Sequence, residues 1–160
     1  MNYLHQSAVI SDCEQYRYSL TRVIYGGARN VLFVGLNPST ADATLDDPTI
    51  RRCVGFAKLW GFNRLLMGNI YAFRSTDPKG LLTAENPVGP KNRDELSNMI
   101  DVSELVIAAW ASNPLTAAAK EIADFILSQE KVKCLGQNKN GSPKHPLYLA
   151  KSTEPRKLSI

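Results

Sequence analysis

Four short apolar runs recur along the chain: VLFV at 31–34, LLMGNIYAF at 65–73, LVIAAW at 105–110 and KVKCL at 131–135. Stretches of helical character separate them. Pro48 to Trp60 places Ile50, Cys53, Val54, Ala57 and Trp60 at helical spacing, with Asp47 as N-cap, Pro48 in the first turn and Gly61 as the stop. Lys91 to Ile100 and Pro114 to Ser128 read as further helices, the second capped by Asn113. Strands alternating with helices pack as a parallel sheet covered on both faces. The expected fold is therefore α/β, a three-layer α/β/α arrangement around a central four-stranded parallel sheet. Residues 14–25 alternate polar and apolar and are β-rich. They form a strand, hairpin-paired with residues 7–11 and added at an edge.

At 160 residues the chain suits one domain, with its core over about 30–149 and a loose tail at 151–160. No apolar run approaches the ~20 residues of a membrane span. The N-terminus lacks a basic segment followed by an apolar stretch, so the expected compartment is the cytoplasm. Cys13, Cys53 and Cys134 are scattered and odd in number, which argues against a disulfide framework or a structural zinc site. No metal or other cofactor is expected. The net charge of +4 is mild, but Lys131, Lys133, Lys139, Lys144, Lys151, Arg156 and Lys157 crowd the last thirty residues. Such a segment contacts phosphates or is simply a solvated surface.

In open α/β sheets, ligands bind beyond the carboxyl ends of the strands. The segments there carry Asn37-Pro38-Ser39, Arg74-Ser75-Thr76, Trp110 to Asn113, and the loop reaching His145. Pro38 restricts Asn37 to extended conformations. Asn37 then either closes an Asx turn or offers its carbonyl to a water. Ser39 and Thr40 expose backbone N–H groups to an anion. Asn69, inside a strand, is either satisfied by neighbouring backbone or reads a base edge with its donor and acceptor. His145 is a loop histidine or a hydrogen-bond donor to a developing negative charge. Asp42 and Asp47 are candidate acids or bases, Asp47 having helix capping as its simpler role. Arg51 and Arg52 bind phosphate or pair with the acids. Arg74 and Lys144 are candidate phosphate ligands, and Tyr71 and Phe73 are core residues or platforms for a base.

Three of these segments, in order, resemble the uracil-DNA glycosylase superfamily. VLFVGLNPS resembles its first motif, in the Gly-x-Asn-Pro form. MGNIYAFRSTDP resembles the strand that ends in a base-reading Asn, and KHPLYL resembles the His-Pro motif. The wider pattern, YRYSLTR to HPLYL, resembles an uncharacterised domain family of bacteria and their phages. The first resemblance implies a glycosylase-like fold and hydrolysis of an N-glycosidic bond, releasing a base from DNA. Asn37 would orient the attacking water, Asn69 would read the base, and His145 would donate to the departing base anion. This sequence departs from that motif at Ser39, and Leu147-Tyr148 follow His145-Pro146. Hydrolysis of free nucleosides or nucleotides, and binding of a base or nucleic acid without catalysis, are the alternative expectations.

Overall fold

A computed structural model of the chain describes residues 2–159. One mixed sheet of six strands runs through it: β1 (His5–Ile10), β2 (Arg17–Val23), β3 (Asn30–Gly35), β4 (Arg64–Asn69), β5 (Leu105–Ala108) and β6 (Val132–Cys134). Their spatial order is β1-β2-β4-β3-β5-β6. β1, β2 and β4 pair antiparallel, with β1 at the edge. β4, β3, β5 and β6 pair parallel. The helices are α1 (Pro48–Leu59), α2 (Asn92–Val102), α3 (Leu115–Ala118) and α4 (Lys120–Leu127).

Alternation along β3 divides the core. Val31 and Phe33 face α1 in one cluster with Leu65, Met67, Val54 and Phe56. Leu32 and Val34 face the other way and pack with Leu96 and Ile100 of α2 and Ile122 and Ile126 of α4. Every β3 residue is buried, as expected for a strand covered on both faces. Phe33, Trp60 and Phe56 stack successively under α1, with ring centroids 5.9 and 5.2 Å apart.

Local chemistry explains the boundaries. Asp47 Oδ1 accepts from Ile50 N at 2.8 Å and caps α1 ahead of Pro48. Gly61 follows α1 with φ +79°, a conformation glycine adopts without steric cost. Two expected elements differ. β4 ends at Asn69 rather than Phe73, because Ile70 and Tyr71 bond to Gly35 O and Leu36 O while Ala72 and Phe73 bond to Val88 O and Pro87 O. The helix expected over 114–128 is two helices that meet at Ala119, whose φ of −116° and ψ of 34° leave the helical well. Residues 146–148 form a 3₁₀ turn. The C-terminal segment, expected to be loose, is tied back: Arg156 exchanges two 2.8 Å backbone hydrogen bonds with Cys134.

Two buried arginines of β2 hold the loop that joins β3 to α1. Arg22, fully buried, bonds through Nε to Asp46 at 2.9 Å and donates to the carbonyls of Asp42, Ala43 and Leu45. Arg17 Nη1 donates to Ala41 O at 2.8 Å. No helix among the described residues is long and apolar enough to cross a membrane.

Candidate functional site

A cavity of about 260 Å³ opens beyond the carboxyl ends of β3, β4 and β5. Gly35, Asn37 and Ser39 come to it from the end of β3, and Asn69 from the last position of β4. Trp110, Ala111 and Asn113 follow β5, Asp47 and Thr49 come from the start of α1, and His145 comes from the loop after β6. Asn37, Asn69 and His145, separated by more than a hundred positions in the chain, thus line one space.

The Asn37 amide is oriented by its backbone surroundings. Nδ2 donates to Ser75 O at 2.9 Å and to Pro38 O at 3.1 Å. The carbonyl Oδ1 accepts no hydrogen bond among the described residues and is the free end of the amide. The Asx-turn alternative gives way to an amide held by the carbonyl of Ser75, beyond the end of β4.

His145 is fixed in one tautomer. Its Nδ1 accepts from Leu147 N at 3.1 Å, so the ring proton resides on Nε2. Burial lowers its pKa, and Asp47 opposes that shift only in part. The neutral ring is therefore a donor through Nε2–H, which has no partner among the described residues. Arg52 anchors the segment beyond it, donating to Leu147 O at 3.0 Å and Leu149 O at 2.8 Å. Arg52 therefore supports the histidine loop rather than pairing with the acids.

Asn69 is 2% exposed, and its Nδ2 has no hydrogen-bond partner. Neighbouring backbone therefore does not satisfy this amide, which is costly for a buried group. Gly35 makes room for it: a Cβ there would lie 2.9 Å from Asn69 Oδ1. Asn92, fully buried at the start of α2, donates to Asn69 O and Ile70 O and fixes the end of β4. Ala111 has φ +65°, a left-handed conformation that is uncommon for a residue with a Cβ. Such strain concentrates at ligand sites.

Other expected site residues lie elsewhere. Tyr71 is buried in the cluster on the α2 face, its hydroxyl on Leu115 O at 2.6 Å. Regular alternation would put it on the face of Asn69, but β4 ends at Asn69 and Tyr71 joins Ile70 in the opposite cluster. Phe73 packs edge-on against Tyr16. Arg74 Nη1 reaches Glu14 O at 3.2 Å. Lys144 lies along Gly136, and Thr40 is exposed outside the cavity. Asp42 Oδ1 accepts from Thr44 N and Leu45 N, which holds its carboxyl below the usual range and commits it to the loop. Asp47 both caps α1 and lines the cavity.

Arg17 is a charged cavity residue that sequence reading missed. It is 2% exposed, and its Nε is unpartnered. In the sequence it is one polar residue in an alternating strand, with nothing to mark which face it enters. No group of three or more His, Cys, Asp or Glu side chains placed to hold a metal ion occurs among the described residues. All three cysteines are free.

Comparison with known sequences gives a match over residues 17–147, from Arg17 to Leu147, to a family described as "Protein of unknown function (DUF1643)". The chain belongs to the DUF1643 family. The DUF1643 match takes in every element from β2 to the His145 loop, and with them all the cavity residues named above. No curated protein and no solved structure matches the chain.

Proposed function

We propose that this protein hydrolyses an N-glycosidic bond, releasing a base from a nucleotide unit, with base in DNA as the first substrate to test. The observation that carries the proposal is the state of His145. A ring whose Nδ1 takes a backbone N–H is neutral with its proton on Nε2, and His145 lines a cavity together with Asn37, whose amide carbonyl is free, and Asn69, whose buried amide nitrogen is unpartnered. The resemblance to the uracil-DNA glycosylase superfamily at the same three residues supports the reading.

In this scheme a water held by Asn37 Oδ1 attacks the anomeric carbon. The bond from that carbon to the base nitrogen breaks, and the base leaves with the electron pair as an anion. His145 Nε2–H donates to a base oxygen on which negative charge grows. Stabilising charge that develops only in the transition state is what lowers the barrier. Asp47, the carboxylate of the cavity, faces the positive sugar and takes the proton that the water loses. Asn69 Nδ2 donates to a carbonyl on the base edge. A base in a strand must leave the stack to enter such a space.

A second reading, hydrolysis of free nucleosides or nucleotides, is favoured by Arg17, a buried cation that lines the cavity and has no ion-pair partner among the described residues.

Base release decides the matter. Single- and double-stranded oligonucleotides containing uracil, hypoxanthine, 5-hydroxymethyluracil or a T·G mismatch, together with free nucleotides, are incubated with protein. Abasic sites are read by alkaline cleavage and free base by chromatography. Release that falls about 10²-fold or more in both His145→Ala and Asn37→Ala, with the fold intact, is the expected result. Release that persists at the native rate in both variants sinks the assignment, and binding without release from any substrate makes the protein a base or nucleotide binder.

A further inference from the structure

Two buried nitrogen donors, on residues that line the cavity, lack a hydrogen-bond partner. They are Arg17 Nε and Asn69 Nδ2. The other unpartnered buried side-chain atoms among the described residues, on Asn30, Asn92 and Thr116, are oxygens outside the cavity. Buried polar groups are nearly always paired, so two orphan donors in one space call for a ligand rich in acceptors.

Arg17 narrows the ligand further. Its one hydrogen bond, from Nη1 to Ala41 O, is to a neutral carbonyl. No carboxylate pairs with it; the ion pairs among the described residues belong to Arg22, Arg29 and Lys120. Asp47 and Asp42 face it from the β3–α1 loop, while Arg74 and Arg22 oppose them with positive charge. Burial pulls its pKa down to about 10, so the cation is retained at neutral pH against a desolvation cost. A buried guanidinium without a carboxylate is completed by an anion that arrives with the ligand.

The depth of this residue selects the kind of anion. A phosphodiester within a strand must enter and leave the space at both ends. A terminal phosphate needs only one opening. Building on the nucleotide chemistry proposed above, we infer that the cavity takes a nucleoside 5′-monophosphate, its terminal phosphate bound by the buried Arg17 guanidinium.

Calorimetric titration of the whole chain tests this with the nucleosides of uracil, thymine, cytosine, adenine, guanine and hypoxanthine and with their 5′-monophosphates. At least one monophosphate is expected to bind ~10- to 100-fold more tightly than its nucleoside, the range of a charge-assisted hydrogen bond. Arg17→Gln should remove that ratio, and Arg17→Lys should keep part of it. Where the Gln variant does not fold, the ratio in the native protein and its reduction in the Lys variant decide. Equal binding of nucleosides and monophosphates, binding of neither, or a ratio unchanged in both variants overturns the inference. A uracil-containing single-stranded oligonucleotide that competes better than any monophosphate also overturns it. Base release is scored separately: a phosphate preference without release defeats the hydrolase reading alone, and release without a phosphate preference defeats the Arg17 site alone.

Discussion

A single hydrogen bond sets the chemistry of His145. Because Leu147 N–H occupies Nδ1, protonating the ring must break that bond, and burial already disfavours the charge. The unfolded chain takes the proton near the ordinary value of 6.5. Below that pH the unfolded state therefore binds more protons than the folded one, so acid favours unfolding. The contribution of neutral His145 is complete above that value and is lost as pH falls. Urea midpoints measured between about pH 7 and pH 5 should decline less steeply in His145→Gln than in the native protein. Equal slopes would show that the ring is not held neutral. For catalysis, loss of the donor in His145→Ala should lower the rate of base release about 10²- to 10³-fold, the effect of deleting one donor aimed at developing charge.

At the scale of elements, the β3–α1 loop has two separable functions, one in its middle and one at its end. Arg22 holds its middle by an ion pair to Asp46 and by three carbonyls. Breaking a buried pair from one side leaves an unpaired charge, so Arg22→Ala should cost about 3–5 kcal/mol by denaturant unfolding. A cost under ~1 kcal/mol would mean that the loop holds itself. Asp47 ends the loop as the α1 cap and as the cavity carboxylate. Asparagine caps as well as aspartate, so Asp47→Asn should stay within about 0.5 kcal/mol of native stability. If the carboxylate accepts the water's proton, base release in that variant should still fall by ~10²-fold or more. Unchanged release would leave Asp47 with capping alone. These outcomes separate a structural residue from a reacting one within a few positions of chain.

Across the whole molecule, one sheet serves two cores. Leu32 and Phe33 are adjacent in β3 yet belong to opposite clusters. Leu32→Ala should destabilise by about 2–5 kcal/mol, with a thermal or urea midpoint as the readout. The α1 face, which borders the cavity, should be perturbed less than the α2 face, and the chemical shifts of Phe33 and Leu96 report the difference. An even response on both faces would mean that the two cores are mechanically one.

Much of this architecture is written locally. Apolar runs of strand length, helical spacing in 48–60, an Asp-Pro start and a Gly stop are short-range signals, and α1 forms where they place it. The Asn-Pro step also announced a polar turn at the end of a buried strand, and Asn37, Asn69 and His145 stood out as polar groups at positions the α/β rule makes interesting. Side-chain choice of partner is not local. The free end of Asn37 depends on Ser75, thirty-eight positions away, and the segment after His145 is held by Arg52, ninety-five positions from Leu147. Tyr71, Phe73 and Arg74 share a segment with Asn69, but the chain leaves β4 after Asn69, and that break in alternation sends them away from the cavity. Arg17 is the converse case: an ordinary alternating residue in sequence, placed by antiparallel pairing of β2 against β4 beside an end of the sheet it could not be assigned to in advance. Periodicity records which surfaces must leave water, and that is a property of each segment. Which buried donor lacks an acceptor is a property of all the segments together, and only the folded chain decides it.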